Sequence, residues 1–355
     1  MLYAHPHHRR NAEALKRAGY IEAIGKIEGQ FHLDTTSDIE EAVRFAQIIV
    51  VTVPSYGHET ILKELGRFDL SQHLVISITG NFFALAARKL LNAQAILETS
   101  TSPYASRMHD TKVLVMGIKK VLPIASLPTN LSLDWREKVG HVFGMALDWR
   151  SHVLEIGLSC ITGVIHPTPA LLNTGWIEAT GGNFFFYREG MSPSVTKVIT
   201  AVDNERMAIA RAFGIAPRPV VAIMNRYYGQ NFSDFLQFAR ETSEHNVTKM
   251  APTKMTDRFI VQDIPFVLVP WYQLGLKVEI RASTIRSLID LASVINGTNY
   301  LENGRNLDRL GLSRASPSEI LAIANAISPA ASDEPRVPNF HRSVREAKGL
   351  VSHDH

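Results

Sequence analysis

The sequence predicts an α/β domain built on a doubly wound parallel sheet, followed by an all-helical domain. In the first half, apolar β-branched runs alternate with short helical stretches, and we expect strands at residues 47–53, 74–78, 95–98 and 112–117. Such continuous runs are typical of parallel strands that are buried on both faces. From about Leu154 the β-branched runs thin out and helical periodicity takes over. We therefore expect one domain at residues 1–152, a helical domain at 153–328 and a loose tail at 329–355.

Composition excludes several classes of protein. Hydrophobic residues make up 45% of the 355 residues and charged residues 20%, as expected for a globular protein with a sizeable core. The net charge of +3 is small and no basic block occurs, so we expect no nucleic-acid partner. Cys160 is the single cysteine, which fits a reducing compartment. No apolar run reaches about 18 residues, so we expect no membrane span and a cytoplasmic location.

Three turns should line a crevice at the carboxyl ends of the predicted strands. They lie at residues 54–58, 79–81 and 99–104, and their small polar residues suit the close approach of a dinucleotide. The expected contacts are Pro54, Ser55, His58, Thr79, Gly80, Ser102 and Pro103. Arg9, at a predicted strand-to-helix turn, could meet a phosphate of the same ligand or be no more than a solvated charge. His5, His7 and His8 more plausibly form an exposed loop than a metal site, because no Cys or carboxylate completes a ligand shell.

In the second half, local signals predict helices and a pocket. Ser192 followed by Pro193 predicts the start of a helix that runs to residue 213. We expect its solvated or interface face to carry Asp203, Asn204, Glu205 and Arg206. The polar stretch at residues 228–256 should shape a substrate pocket.

His166 is the candidate acid/base group. It lies between an apolar run and Pro167, and a residue before proline is pushed out of the helical region, so we expect an extended or turn backbone with a helix starting after it. A histidine held in this way can transfer protons near neutral pH, although it could equally be a capping or core residue. Asp263 has the same ambiguity, since it could serve a site or only cap the apolar helix near Pro265.

Several motifs, in this order, resemble those of the opine dehydrogenases, in particular the octopine and nopaline synthase branch. They are TVPSYGH at 52–58, ILKEL at 61–65, ETSTSPYASR at 98–107, IHP at 165–167, FFYREG at 185–190, VDNER at 202–206, Arg258 with Asp263 five residues on, and GRNL at 304–307 before LG at 310–311. No single motif is decisive, but the order and spacing are specific, and the similarity covers roughly residues 1–312.

The resemblance implies an NAD(P)H-binding Rossmann-like domain followed by an all-α substrate domain. It also implies reductive condensation of an amino acid with a 2-oxo acid, such as pyruvate or 2-oxoglutarate, through an imine. By resemblance, His166 is the acid/base, Asp263 its partner and Arg258 the group that binds a substrate carboxylate. No metal is implied.

The sequence departs from the family pattern at its beginning. The strand and Gly-rich phosphate loop that open a dinucleotide-binding domain do not occur, so the chain is expected to begin inside the second strand and the sheet to be open at its middle. At the end of that strand Ala4 and His5 stand where an NAD-preferring site carries an acid, with Arg9 close behind, which favours NADP(H) while leaving NAD(H) possible.

Two other functions stay open at this point. The chain could be a 2-hydroxy or 2-oxo acid reductase of the same architecture, which would need no amine. It could also be a non-catalytic remnant that keeps the helical domain for association. A homodimer is possible in any of these cases.

Overall fold

The computed structural model describes residues 1–8 and 10–326, without the side chains of His8, Arg10 and Asn11. Arg9 and the predicted tail at residues 329–355 therefore lie outside the described residues. The strands are β1 (Leu2–Tyr3), β2 (Tyr20–Gly25), β3 (Gly29–His32), β4 (Thr35–Thr36), β5 (Ile48–Val51), β6 (Leu70–Ser77), β7 (Ala93–Thr99), β8 (Tyr104–His109), β9 (Lys112–Ile118), β10 (Leu122–Leu127) and β11 (Leu147–Trp149).

The central sheet has the order β11-β10-β7-β6-β5. Strands β5, β6 and β7 are parallel, as the sequence predicts, and their registers pair Ile48 with Leu74 and Val75 with Ile96. The prediction of a wholly parallel sheet is wrong at β10, which runs antiparallel to β7. The predicted strand at residues 112–117 is present as β9, but it belongs to a separate sheet of order β3-β2-β9-β8.

The first strand of the chain belongs to a separate two-stranded sheet. Among the described residues, β1 pairs only with β4 and β5 pairs only with β6. The outer edge of β5 thus carries no strand partner within the described part of the chain.

Both faces of the central sheet are buried, which explains the continuous apolar runs. Successive strand residues point to opposite faces. Leu74, Ile76 and Leu97 pack in a smaller core on one face with Val139 of the following helical layer. Val75, Ile96 and Ala125 point the other way, into a large core that is continuous with the interior of the helical half.

The helices follow the predicted change of character near residue 154. They are α1 (Arg10–Ala18), α2 (Ile39–Phe45), α3 (His58–Leu65), α4 (Phe83–Ala87), α5 (Leu133–Phe143), α6 (Val153–Leu158), α7 (Thr162–Ile165), α8 (Pro167–Leu172), α9 (Thr174–Thr180), α10 (Pro193–Ala212), α11 (Val220–Tyr228), α12 (Phe235–Glu241), α13 (Arg258–Val261), α14 (Val269–Lys277), α15 (Ser283–Asn296), α16 (Tyr300–Asn303) and α17 (Pro317–Ala324). A π-helical turn, Ile264–Leu268, joins α13 to α14.

Helix α10 is the predicted helix, with Ser192 as its N-cap and Pro193 in its first turn. The expectation that Asp203 and Arg206 face solvent or an interface is wrong. Both are buried and paired, and Arg206 also donates to the carbonyls of Leu158 and Arg218. A buried arginine needs such partners, and here it ties α10 to its neighbours.

The stretch Arg258–Lys277 is long and apolar enough to cross a membrane by length and composition alone. Within the protein, 67% of its apolar window is buried, as in the core helix of a globular domain.

Candidate functional site

His166 and Asp263 form a close pair in the helical half of the chain. The Nδ1 atom of His166 lies 2.7 Å from Oδ2 of Asp263. Asp263 is 1% exposed, whereas the His166 side chain keeps 17% of its surface accessible and stacks on the ring of Phe259 with centroids 4.0 Å apart. The carboxylate accepts a hydrogen bond from the Nδ1–H group of the ring, so the other ring nitrogen is left for a ligand.

The local backbone of both residues differs from the prediction. His166 is helical, with φ −104° and ψ −59°, and it connects α7 directly to α8 instead of lying on an extended segment. Its N–H reaches the carbonyl of Thr162 and its carbonyl accepts from Ala170, so two helical turns outweigh the restriction imposed by Pro167. Asp263 makes no capping bond to the turn that follows it, which excludes the interpretation that it is only an N-cap.

A ring of hydrogen bonds holds the Asp263 carboxylate in place. Thr162 Oγ1 donates to Asp263 Oδ1 at 3.1 Å and contacts the Cys160 thiol, which donates to Asn81 Oδ1 at 3.1 Å. Asn81 in turn donates to Ser55 Oγ at 2.9 Å. Gln262 closes the ring, since its amide accepts from the Ser55 backbone and lies 3.5 Å from Asp263 Oδ1. The ring connects the ends of β5 and β6 to the helices that carry His166.

The thiol in this ring is a structural group. Burial raises the pKa of Cys160 to about 12, so it is a neutral donor at physiological pH.

The turn after β6 is strained and is held from the helical half. Thr79, Asn81 and Phe82 have positive φ angles of 43°, 49° and 66°, which non-glycine residues rarely adopt. Arg305 donates to the Asn81 carbonyl at 2.7 Å and contacts His58 Nδ1 at 3.2 Å. Such strain persists only where the surroundings enforce it, and here the enforced turn aims Asn81 at Cys160.

Glu98 lies buried beneath the same turn. A Cβ atom on Gly80 would stand 2.3 Å from Glu98 Cβ, so the close approach requires glycine. Burial raises the pKa of Glu98 to about 7, against the opposing influence of the Ala84 N–H and Arg305.

Arg258, the predicted carboxylate-binding residue, begins α13 and is exposed. Among the described residues, no acidic group forms an ion pair with it. Arg107 of β8 lies near it. Desolvation lowers the pKa of Arg107, and the positive charge of Arg258 lowers it further. Burial raises the pKa of Tyr187, while Arg107 and Arg258 act to lower it. The charges of both arginines and of Asp263 therefore act on Tyr187.

The three turns predicted to bind the cofactor all follow the carboxyl ends of adjacent parallel strands. Pro54 and Ser55 follow β5, Thr79 and Gly80 follow β6, and Ser102 and Pro103 follow β7. Ser55 and His58 are buried, with Ser55 engaged by Asn81 and His58 by Arg305. Burial and the Arg305 charge lower the pKa of His58, which keeps its imidazole neutral. The cofactor roles of these residues stay predictions.

Sequence reasoning assigned no role to several residues that the structure places at this site. Tyr187 and Arg107 lie inside two of the motifs that resemble the family, so these motifs could have indicated them as site residues. Asn81 lies in one of the turns predicted to line the crevice, but its contact with Cys160 could not be predicted. Cys160 and Thr162 carried no local signal, because only the tertiary fold brings these distant segments together.

Comparisons with known families agree with this two-part organisation. Residues 149–296 match the model of the NAD/NADP octopine/nopaline dehydrogenase alpha-helical domain. Residues 10–81 match the NADP oxidoreductase, coenzyme F420-dependent family.

Full-length relatives decide the family. The opine dehydrogenase of Arthrobacter sp. (strain 1C) is 30% identical over 315 residues, which are 86% of this chain and 86% of that protein. The chain belongs to the opine dehydrogenase family. The vitopine synthase of Allorhizobium ampelinum is 28% identical over 92% of this chain and 91% of its own length. The predicted family, and with it an NAD(P)-dependent oxidoreductase that acts on CH–NH bonds, is confirmed.

Solved structures of opine dehydrogenases share the fold. Octopine dehydrogenase in complex with NADH and agmatine superimposes with a TM-score of 0.70 at 19% identity, covering 89% of each chain. Yersinopine dehydrogenase with bound NADP⁺ gives a TM-score of 0.67 at 16% identity, covering 91% of each chain. At such identities the likeness concerns the fold alone, and it confirms the predicted Rossmann-like domain followed by an all-α domain for this opine dehydrogenase.

Proposed function

We propose that this opine dehydrogenase joins the amino group of an amino acid to a 2-oxo acid and reduces the resulting imine, with His166 as the acid/base. The observation that carries the proposal is the His166–Asp263 pair, held at 2.7 Å. Arg258, which forms no ion pair with an acidic group among the described residues, lies 5.9 Å from the centre of the Phe259 ring that stacks on His166. Related proteins support the substrate classes, since octopine dehydrogenase has been solved in complexes named for L-arginine and for pyruvate.

His166 handles the proton that condensation requires. Loss of water from the amine–ketone adduct needs a proton on the departing oxygen, and the ring nitrogen remote from Asp263 supplies it. The buried Asp263 carboxylate keeps the proton of the neutral ring at Nδ1 and stabilises the imidazolium when the ring is charged. Thr162 and Gln262 orient that carboxylate. Rotation of the imidazole would break its hydrogen bond to Asp263, so the orientation of the imidazole is fixed as well.

Arg258 binds the carboxylate of the 2-oxo acid. A guanidinium holds a carboxylate through two parallel hydrogen bonds and so fixes the orientation of the neighbouring carbonyl. Arg107 adds a second positive charge that acts on Tyr187, which favours an anionic ligand nearby.

A nicotinamide dinucleotide fits the edge of the sheet formed by the turns after β5, β6 and β7. Pro54, Thr79, Gly80, Ser102 and Pro103 present small side chains at that edge. When bound, the nicotinamide supplies the hydride that reduces the imine carbon. We infer a preference for NADP(H) over NAD(H), because Ala4 and His5, the residues that follow β1, are not acidic. The Glu64 carboxylate lies 3.4 Å from His5 Nε2, where a protonated His5 would offset its charge. The phosphate contact of Arg9 remains part of this proposal.

A two-substrate assay tests the proposal. Oxidation of NADPH or NADH is followed with an amino acid alone, a 2-oxo acid alone and both together, and the product is identified by its mass. Oxidation that requires both substrates supports the proposal. Oxidation with the 2-oxo acid alone would establish the simple reductase instead. Absence of nucleotide binding, measured by fluorescence titration, would favour a non-catalytic remnant.

We further propose a cytoplasmic protein, which accords with a single, buried cysteine and a mostly buried apolar helix at Arg258–Lys277. A homodimer remains a prediction.

A further inference from the structure

A buried lysine lies behind the turn that follows β7. Lys119, between β9 and β10, is 7% exposed. Its Nζ donates to the Ser102 carbonyl at 2.7 Å and lies 5.5 Å and 5.7 Å from the ring centroids of Tyr227 and Tyr228. Burial lowers the pKa of Lys119 to about 7. Across residues 1–8 and 10–326, no carboxylate forms an ion pair with this ammonium, and a buried charge without a counter-ion is unfavourable.

The side chains around Lys119 include polar atoms that lack partners among the described residues. We call Lys119, Tyr228 and His245 the Lys119 cluster. Neither ring nitrogen of His245 makes a hydrogen bond, and neither does the hydroxyl of Tyr228. His245 stacks on Tyr187 with centroids 4.6 Å apart and meets Tyr228 edge-on at 5.5 Å. Burial and the Lys119 charge lower the pKa of His245 to about 3, so its ring is neutral and offers one N–H. Buried polar atoms are nearly always paired in native proteins, so a cluster of unpaired ones indicates a ligand.

Packed aromatic side chains link the cluster of Lys119, Tyr228 and His245 to the reaction site. Successive aromatic contacts lead from His166 to Phe259 at 4.0 Å, Phe186 at 5.2 Å, Tyr187 at 5.9 Å and His245 at 4.6 Å between ring centroids. On its other side, Ser102 belongs to one of the turns at the cofactor edge, and Ser100 Oγ lies 3.2 Å from the Tyr227 hydroxyl. These contacts place Lys119, His245 and Tyr228 next to the aromatic side chains that pack against His166.

We propose that Lys119, His245 and Tyr228 bind a second carboxylate of the substrate, remote from the reacting carbon, and so make this enzyme selective for a dicarboxylic substrate. Such a carboxylate would give Lys119 its counter-ion and accept from the hydroxyl of Tyr228 and the N–H of His245. A cationic side chain, by contrast, would be repelled by the Lys119 ammonium. Arg258 remains free for the carboxylate next to the reacting carbonyl. The inference rests on the proposed function, and it names the substrate class for the same site.

Binding of glutarate, a dicarboxylate that cannot react, tests the proposed carboxylate site without cofactor or turnover. Calorimetry is performed on the wild-type protein, on Lys119→Met and on the matched control Lys120→Met, whose side chain is exposed next to Lys119. We expect glutarate to bind about 10–100-fold more weakly to Lys119→Met, as for loss of a charged hydrogen bond, and equally well to Lys120→Met. Tyr228→Phe should weaken binding about 3–10-fold and serves as the second variant if Lys119→Met does not fold. The inference would be overturned if the wild type did not bind glutarate, or if Lys119→Met and Tyr228→Phe bound it as tightly as the wild type.

Kinetics then show which substrate carries the carboxylate. 2-Oxoglutarate is compared with pyruvate, and glutamate with its neutral analogue glutamine, in wild-type and Lys119→Met enzymes. We expect Lys119→Met to raise KM about 10–100-fold more for the dicarboxylic member of one pair than for the other member. Equal effects on both members would overturn the inference, although two-substrate activity would still support the proposed function. Conversely, Lys119-dependent glutarate binding without any two-substrate activity would refute the proposed reaction but not the carboxylate site.

Discussion

Replacement of Asp263 by Asn changes a single atom and tests the acid/base pair directly. In the native site, Oδ1 of Asp263 accepts from Thr162 at 3.1 Å and faces the Gln262 amide at 3.5 Å, while Oδ2 faces His166 Nδ1 at 2.7 Å. In Asp263→Asn the amide oxygen should take the position that has two donors, which turns the NH₂ group towards His166. The Nδ1 atom must then accept, so the ring proton moves to the nitrogen that faces the substrate.

A neutral ring in that tautomer cannot take up a proton at the nitrogen that faces the substrate, and without the Asp263 carboxylate the imidazolium that supplies the proton to the departing oxygen is no longer stabilised. We expect kcat to fall about 10²–10⁴-fold, as when a histidine base is held in the wrong tautomer. The assay is steady-state oxidation of NADPH or NADH with the most active pair of amino acid and 2-oxo acid, beside fluorescence titration of the nucleotide. Thr162→Val combined with Asp263→Asn should regain part of kcat, because removal of one donor lets the amide turn over. A kcat within threefold of wild type in Asp263→Asn would refute the tautomer argument.

Three other predictions concern the catalytic base, the carboxylate clamp and the buried acid. His166→Ala should lower kcat at least about 10²-fold while nucleotide affinity, measured by fluorescence, stays within twofold; full activity would disprove the acid/base role. Arg258→Lys should raise KM for the 2-oxo acid about tenfold, since lysine cannot reproduce the two-pronged contact, and an unchanged KM in steady-state kinetics would argue against the clamp. Burial raises the pKa of Glu98 to about 7 in the folded protein, against 4.5 for the free side chain. Between these pH values the folded state binds more protons than the unfolded state, so the free energy of unfolding falls as the pH rises from 4.5 to 7. Glu98→Gln should flatten this fall in urea unfolding curves measured between those pH values, and an identical pH dependence in the variant would contradict the assignment.

Local patterns of residues determine much of the fold. β-Branched runs predict β5, β6 and β7, because a parallel strand that is buried on both faces must be apolar throughout. Capping signals predict α10 with its N-cap Ser192, since the groups involved are adjacent in sequence. The motif resemblance predicts the family, which the relatives confirm.

Strand direction and sheet membership cannot be predicted in the same way. An apolar run indicates that a strand is buried but says nothing about its neighbour, so the antiparallel direction of β10 and the separate sheet of β9 both differ from the expectation. Likewise, periodicity puts Asp203 and Arg206 on a polar face, while the carbonyls that allow Arg206 to be buried come from distant segments.

The sequence by itself determined which residue types were available at the site: a histidine before a proline, and an arginine five residues before an aspartate. The tertiary structure decided their relations. It placed Asp263 against His166 across 97 residues of chain, and it joined Asn81 to Cys160 through a strained turn. It also left Lys119 buried beside unpaired polar atoms of Tyr228 and His245. The physical reason is that hydrogen bonds and burial depend on distance in space, which helix packing and sheet order set and which no local spacing encodes.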